Sequence, residues 1–380
     1  MKKNISILGS TGSVGLSTLK IIDKKKNFFR IILLAANNNY RLICDQIKKY
    51  KPEYFIINNF KVFLKVKKKF KNNQVKIFNN FEEINLKKLD LSVAAIPGIA
   101  GLEPTLLFIK LSKKILIANK ESIICGWTLM RKLASKSNTT IIPVDSEHYS
   151  IFKLIENINQ NEIEKIYLTA SGGPFLNYKK KELLKISPKE ALKHPKWKMG
   201  KKITIDSATM VNKVFELIEA KNIFNISYKK LSILIHPTSY IHAIIKYQNG
   251  LSKIILHDTD MKIPIFNSLS YPLIKEYKDK ALDIKKLNKL ELSNVNLKRF
   301  PSVKILKYLP NKFSLFETVL VSANDELVNL FLKKQIKFTD ISKKLLKIIR
   351  SRKFKKFKGL QPKKIDDIIK LNGYVRSVIN

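Results

Sequence analysis

Apolar positions along the first 145 residues fall into short runs separated by helical spacings. Ile5–Leu8, Ile31–Ala36, Tyr54–Ile57, Leu91–Ile96, Ile115–Ala118 and Ile141–Val144 read as strands. Gly15–Asp23 and Leu42–Tyr50 carry the three- and four-residue spacing of amphipathic helices. Strands that alternate with helices predict a parallel sheet covered on both faces. From about residue 146 the pattern changes. Ile166–Ala170, Leu231–Ile235, Ala243–Tyr247 and Lys253–Leu256 read as strands of a sheet at least partly antiparallel, mixed with helices. Residues 272–300 are charged and weakly periodic, as in a connecting segment. Beyond Pro301 the spacing is helical throughout, with Val303–Leu309, Leu315–Phe331, Phe338–Arg350 and Lys364–Leu371 as helices.

The fold class expected is therefore α/β. It comprises a Rossmann-like nucleotide-binding domain over 1–145, a catalytic α+β domain over 146–271, a linker over 272–300 and a helical domain over 301–380. A chain of 380 residues has room for several cores.

Charge changes this picture little. There are 73 basic and 30 acidic side chains, a net charge of +43. Such a balance suits a nucleic-acid binder or an enzyme that steers anionic substrates. The lysines, however, are spread along the whole chain and interleave with apolar positions, as in Lys179–Lys185 and Lys343–Lys356. No aromatic–glycine ribonucleoprotein motif and no Cys/His finger accompanies them. Drift in composition towards Lys, Ile and Asn explains the charge better than specific nucleic-acid binding. Cys44 and Cys125, the two cysteines, are far apart and fit buried thiols in a reducing compartment. No apolar run reaches the ~18 residues needed to cross a bilayer. The first strand begins too early for a leader peptide, so the cytoplasm is the expected location and no membrane partner is expected.

Candidate chemistry begins where the first strand ends. Gly9-Ser-Thr-Gly12-Ser-Val-Gly15 lies between a strand and a helix. Glycines there let the backbone approach a pyrophosphate, whose charge meets the amides of the helix N-terminus. The spacing is GxxGxxG rather than the commoner GxGxxG. An NAD site usually has an acid at the end of the second strand, to hold the ribose hydroxyls. Here stand Asn37, Asn38 and Asn39, with Arg41 nearby, and neutral donors with a cation favour NADP.

Two acids follow the sixth strand, in Val144-Asp145-Ser146-Glu147-His148. Were the extended conformation to persist, Asp145 and Glu147 would project from one face. Oxygen ligands without cysteine suit a hard or borderline cation such as Mg²⁺ or Mn²⁺. Asn212, Lys213 and Glu216 share a face if their segment is helical, so Glu216 can join the metal and the other two can hold an anion. Taken alone, that motif is more often an ordinary helical ion pair. Ser171-Gly-Gly-Pro174 offers a hydroxyl and amides after a strand. Ile205–Thr209 is expected to end a strand and start a helix capped by Ser207. His194-Pro-Lys-Trp197-Lys-Met199-Gly200 reads as a loop with an exposed Trp and Met, a lid over a bound substrate.

Taken together the motifs resemble one family. Gly9–Gly15, Ala118-Asn-Lys-Glu-Ser, Pro143-Val-Asp-Ser-Glu-His, Ser171-Gly-Gly-Pro-Phe, His194–Gly200, Asp206-Ser-Ala-Thr-Met, Asn212-Lys and Ile235-His-Pro resemble, in order, those of the 1-deoxy-D-xylulose 5-phosphate reductoisomerases. The resemblance runs from residue 4 to about 275 and weakens beyond, though Ser322-Ala-Asn-Asp still looks like the family's helical tail. It implies a homodimer that rearranges a keto sugar phosphate and reduces the product with NADPH, yielding 2-C-methyl-D-erythritol 4-phosphate for isoprenoid synthesis. Its metal would be Mn²⁺ or Mg²⁺, with Co²⁺ a further option.

By the same resemblance, Thr11, Gly12, Ser13 and Val14 would hold the NADPH pyrophosphate, with Asn37, Asn38 and Asn39 near its ribose phosphate. Asn119, Glu121 and Gly200 would also touch the cofactor. Asp145, Glu147 and Glu216 would bind the metal and, with Lys120, serve catalysis. Lys120, Ser146, Glu147, Ser171, His194, Ser207, Asn212, Lys213 and Glu216 would bind the substrate. His257 and Asn37 depart from the family, which usually has Gly at both, and either change can alter cofactor affinity. A semialdehyde dehydrogenase, the rival enzyme class, needs a nucleophilic Cys, and neither cysteine sits in such a motif.

Overall fold

The computed structural model describes residues 2–194, 197, 200–273, 275–277 and 281–379, with the backbone alone at Lys180. It divides into two compact units. The first comprises Met1–Ser122, Met130–Asp145 and Met261–Tyr277; the second comprises Ile123–Leu129, Ser146–Asp260 and Lys278–Asn380. Sequence patterning had separated the C-terminal helices from residue 301, but their contacts lie in the second unit. Met261–Tyr277 returns to the first. Nothing in local periodicity announces either grouping.

The first unit is a seven-stranded parallel sheet built from β1 (Lys3–Leu8), β2 (Phe29–Ala36), β3 (Tyr54–Ile57), β4 (Lys76–Phe78), β5 (Leu91–Ala94), β6 (Lys114–Ile117) and β7 (Thr140–Pro143). Its order is β4-β3-β2-β1-β5-β6-β7. Runs such as Ile5–Leu8 and Leu91–Ala94 are buried on both faces, as parallel strands require. The strand order reverses between β1 and β5, and the crevice beyond the C-terminal ends of such neighbours is where these sheets take ligands. β4 escapes sequence reading, because it has three residues, begins at Lys76 and runs straight into Asn79 and Asn80.

The second unit holds a mixed sheet of β8 (Ile163–Ala170), β9 (Leu231–Ile235), β10 (Ile241–Tyr247), β11 (Ser252–Leu256) and β12 (Ser293–Asn294), ordered β11-β10-β8-β9-β12. β8 and β9 are parallel, while β10 runs antiparallel to both β8 and β11. The C-terminal part is helical. Phe316–Leu332 packs against Phe338–Arg350 and Ile365–Ile379, and the expected helix at Val303–Leu309 is a 3₁₀ segment, Pro301–Tyr308. Within 272–300, the described residues form little more than a four-residue helix, Ile284–Leu287, and β12.

Two local expectations fail. The chain does not stay extended through Asp145 and Glu147, because only Val144 and Asp145 separate the end of β7 at Pro143 from a helix, Ser146–Leu154. The alternation argument for a shared face therefore lapses. Glu147 stands instead in the first helical turn, where a carboxylate is favoured by the amide dipoles. Likewise Ile205–Thr209 contains no strand. Helix Lys201–Ala208 already runs through it, so Ser207 lies in that helix's last turn and caps nothing. The β-branched Ile203, Thr204 and Ile205 suggested a strand. Burial of Thr204, Ile205 and Ala208 on one helical face outweighed that weak propensity.

Glu317 lies fully buried in helix Phe316–Leu332 and accepts hydrogen bonds from the Ser314 hydroxyl (2.7 Å) and amide (3.2 Å). Burial lifts its carboxyl from an ordinary 4.5 to about 7, although Ser314 and Lys221 pull the other way. The folded state therefore holds this proton where the unfolded chain has lost it. Its contribution to stability is fully present below pH 4.5 and is lost as pH rises through 7, a change of up to about 3 kcal/mol at 1.36 kcal/mol per pH unit. Glu317→Gln, whose amide oxygen can keep both Ser314 bonds, is expected to raise the unfolding free energy at pH 8 by about 1–3 kcal/mol. Denaturant melts at pH 5 and pH 8 check this; an equal effect of the substitution at both pH values would refute it.

Candidate functional site

The glycine loop of the first unit is shaped by close backbone approach. Gly9 has φ +87°, and a Cβ there would lie 2.6 Å from the Ala95 carbonyl oxygen just beyond β5. A Cβ on Gly15 would lie 2.3 Å from the Gly9 carbonyl oxygen, so the following helix can pack on the loop only through glycine. That helix, Ser13–Lys24, starts at Gly12 with no side chain capping it, which leaves its first amides for an anion. Gly12 and Ser13 are exposed and Thr11 and Val14 half-buried around this N-terminus.

Gln46, which the sequence did not single out, clamps the loop from helix Tyr40–Tyr50. It accepts from the Ser10 hydroxyl (2.6 Å) and donates to the Ser10 carbonyl (2.9 Å). Only the fold brings residues 36 positions apart together, and a lone Gln on a helix carries no signal. Asn37, Asn38 and Asn39 are exposed after β2, and Asn39 also caps the next helix through Leu42 N–H (3.2 Å).

Asn119 is buried and joins two loops. Its carbonyl oxygen caps helix Lys120–Ser137 through Ser122 N–H (2.8 Å), while its amide donates to the Gly98 carbonyl (2.8 Å) and the Ile96 carbonyl. A Cβ at Gly101 would collide with this amide. The next residue, Lys120, is nearly buried and pairs with Asp145 at 3.2 Å. Glu121 is buried in the same first turn.

In the second unit, helix Val211–Phe224 presents Asn212, Lys213 and Glu216 on one face as their spacing predicted. The Lys213 ammonium lies 2.6 Å from Glu147 Oε1 and also pairs with Glu216, whose other oxygen accepts from the Asn212 amide. Ser146 donates to the second oxygen of Glu147 at 2.5 Å. Burial works to lower the Lys213 pKa, but the charges of Glu147 and Glu216 outweigh it and raise the value, so the ammonium stays charged. His148 is fully buried beside them; its Nε2–H donates to the Glu216 carbonyl (2.9 Å) and its Nδ1 faces Glu219 at 3.4 Å. Neither was assigned a role in the sequence, where His148 only closed a motif and Glu219 was not singled out.

A second cluster joins the loop after β8 to the last turn of helix Lys201–Ala208. His194 Nδ1 accepts from Trp197 N–H at 2.9 Å, so the proton of the neutral ring sits on Nε2. That Nε2 lies 3.1 Å from Ser207 Oγ and 3.4 Å from Ser171 Oγ. Gly173 N–H donates to Ser171 Oγ (3.2 Å). Gly173, at φ +69°, lets the loop approach that helix so closely that a Cβ would sit 3.0 Å from Ala208 Cα. Two hydroxyls, an imidazole N–H and a glycine loop thus converge as donors for an oxyanion. Trp197 is half-buried rather than exposed, its ring edge-on to His242 at 6.3 Å. Gly200 is exposed at the N-terminus of the helix. Pro195, Lys196, Lys198 and Met199 of the expected lid lie outside the described residues. His257 stacks on His242 at 3.7 Å, occupying with a ring the position where Gly was expected.

A parallel sheet with a glycine-lined pyrophosphate crevice, together with a unit bearing buried carboxylates and an oxyanion cluster, defines a nucleotide-dependent enzyme acting on an anionic substrate. Family models agree in detail. Residues 5–126 match 1-deoxy-D-xylulose 5-phosphate reductoisomerase, 141–224 its C-terminal domain, and 256–378 the DXP reductoisomerase C-terminal domain. The chain is 54% identical to 1-deoxy-D-xylulose 5-phosphate reductoisomerase of Pelagibacter ubique over 378 residues, 98% of this chain and 97% of that one. It is 39% identical to that of Clostridium novyi over 383 residues, 99% and 98% of the two. Among solved structures, a DOX-P reductoisomerase in complex with NADPH, fosmidomycin and magnesium matches with TM-score 0.91 at 31% identity, covering 99% of this chain and 97% of that one. The Zymomonas mobilis enzyme in complex with NADPH matches at 0.88 and 32%, covering 99% and 98%. The chain belongs to the 1-deoxy-D-xylulose 5-phosphate reductoisomerase family.

Burial lowers the His194 pKa from 6.5 to about 4. Between those values the unfolded chain binds a proton that the folded ring refuses, so this stability is present above pH 6.5 and is lost as pH falls through 4. NMR of the imidazole should show His194 neutral down to about pH 5. A titration midpoint near its ordinary 6.5 in the folded protein would contradict this.

Proposed function

We propose that this chain converts 1-deoxy-D-xylulose 5-phosphate to 2-C-methyl-D-erythritol 4-phosphate, using NADPH and a divalent metal, in isoprenoid precursor synthesis. The observation that carries the reading is the Glu147–Lys213–Glu216 arrangement, its lysine and Glu216 buried, lying in the same unit as the Ser171–His194–Ser207 cluster. The metal's donors would be Asp145, two positions before Glu147 in the chain, with Glu147 and Glu216. Carboxylate oxygens without thiolate suit Mg²⁺, Mn²⁺ or Co²⁺. Glu147 and Glu216 already converge on a positive charge, the Lys213 ammonium, which marks a place that takes a cation. Gly9 and Gly15 leave a cradle that a Cβ would fill, and this suits a pyrophosphate, with Thr11, Gly12, Ser13 and Val14 around it. Asn37, Asn38 and Asn39 suit the 2′-phosphate; Asn119, Glu121 and Gly200 complete the cofactor contacts. When bound, the metal supplies Lewis acidity to neighbouring sugar oxygens and NADPH supplies hydride.

The chain's own residues do the rest. Ser171, His194 and Ser207 donate to the phosphate, and the neutral Nε2–H of His194 binds it without needing protonation. Asn212 and Lys213 add an amide and a fixed positive charge. Ser146 and Lys120 orient the sugar hydroxyls, with Asp145 holding the Lys120 ammonium. Half-buried Trp197 helps exclude water over the phosphate side. Phosphate binding thereby holds the reacting end in place, so that remote binding energy goes into positioning.

The same proposal includes a homodimer in the cytosol. Edge strand β11 and its preceding turn expose Ile254 and Leu251, apolar surface that a second copy can cover. Among the described residues no helix is long and apolar enough to cross a membrane.

Purified protein with Mn²⁺ is expected to oxidise NADPH only when 1-deoxy-D-xylulose 5-phosphate is added; absence of turnover would sink the proposal. Glu216→Gln should cut kcat by about 10²-fold or more and weaken metal dependence. NADPH affinity, read by fluorescence titration, should stay within about twofold.

A further inference from the structure

Ser322-Ala-Asn-Asp, which the proposed chemistry leaves without a role, lies at the start of a chain of charges leading to the phosphate cluster. The Asn324 amide donates to Asp206 Oδ1 at 2.7 Å. The Lys202 ammonium lies 2.9 Å from Asp206 Oδ2 and 3.0 Å from Asp325 Oδ1, and over the Phe215 ring. Asp325 Oδ2 in turn meets the Arg376 guanidinium at 3.1 Å. Arg376 also reaches Glu326 (3.3 Å) and Asn372 (3.1 Å). Three helices are thus joined: Lys201–Ala208, Phe316–Leu332 and Ile365–Ile379.

Asp206 is 2% exposed, so its charge is tolerable only while its partners stay in place. It immediately precedes Ser207, whose hydroxyl lies 3.1 Å from His194 Nε2. Successive helical residues project about 100° apart, so whatever fixes the rotation of Asp206 fixes the direction of Ser207. A misplacement of ~1 Å at a binding group can cost substantial activity.

We propose that Arg376, acting through Asp325 and Lys202 on Asp206, is a positioning residue for Ser207 and so sets affinity for the phosphate of the substrate. This rests on the reading that Ser171, His194 and Ser207 hold that phosphate. The C-terminal helix thereby tunes substrate binding without touching substrate. The guanidinium is partly exposed, its side chain 37% accessible, so the expected effect is moderate.

The test compares Arg376→Ala, Arg376→Lys, Asp325→Asn and Ser207→Ala in the full-length metal-loaded enzyme. Arg376→Ala and Asp325→Asn should each raise KM for the sugar phosphate about three- to tenfold and weaken inhibition by inorganic phosphate by the same factor. kcat and the KM for NADPH should stay within about twofold. Arg376→Lys should recover most of the loss. If Arg376→Ala lowers Tm yet leaves both phosphate readouts at wild-type values, the proposal is overturned, and the same holds for Asp325→Asn should Arg376→Ala not fold. Ser207→Ala separates the two readings. If it fails to weaken phosphate inhibition, the phosphate site itself is wrong. If it weakens inhibition while the Arg376 and Asp325 variants do not, only the positioning role falls.

Discussion

Lys213 carries its ammonium into a nearly water-free place in the second unit, 2.6 Å from Glu147 and paired also with Glu216. Each of these charges alone would be costly to bury; together they satisfy one another, and Asn212 and Ser146 take up remaining oxygens. The consequence is a site whose carboxylates are aimed before any ligand arrives. Helix Val211–Phe224 must hold its register to keep that geometry, and helix Ser146–Leu154 must begin where it does to bring Glu147 in.

The phosphate cluster is organised by the opposite device. No permanent charge stands among Ser171, His194 and Ser207; burial keeps His194 neutral, and the Trp197 amide sets its tautomer. Charge is instead held one layer away, in the Asp206–Lys202–Asp325–Arg376 chain, where it fixes helices rather than ligands.

In the first unit the controlling constraint is steric. Gly9 and Gly15 allow backbone contacts that any Cβ would break, and Gln46 ties the loop to the next helix. The same glycines that a sequence motif displays are therefore explained by the distance between the loop, the end of β5 and the helix that follows.

Much of this was legible beforehand. Alternating apolar runs foretold six of the seven parallel strands, since full burial on both faces demands near-continuous apolar residues. Glycine spacing marked the pyrophosphate loop, and helical spacing placed Asn212, Lys213 and Glu216 on one face. Those features depend on neighbours within a few residues, which sequence displays directly. Asp145 and Glu147 were paired by an extended geometry the chain does not adopt, and Ile205–Thr209 was read as the end of a strand and the start of a helix because β-branched Ile203, Thr204 and Ile205 lead into it. Gln46, Glu219 and Arg376 gave no sign at all. Their meaning comes from partners dozens of residues away or from burial, and both are set only when the helices pack. Local chemistry was thus determined by the sequence alone. Which acids face which cations, and which polar groups lose water, was decided by tertiary structure, because the cost of a buried charge depends on what surrounds it.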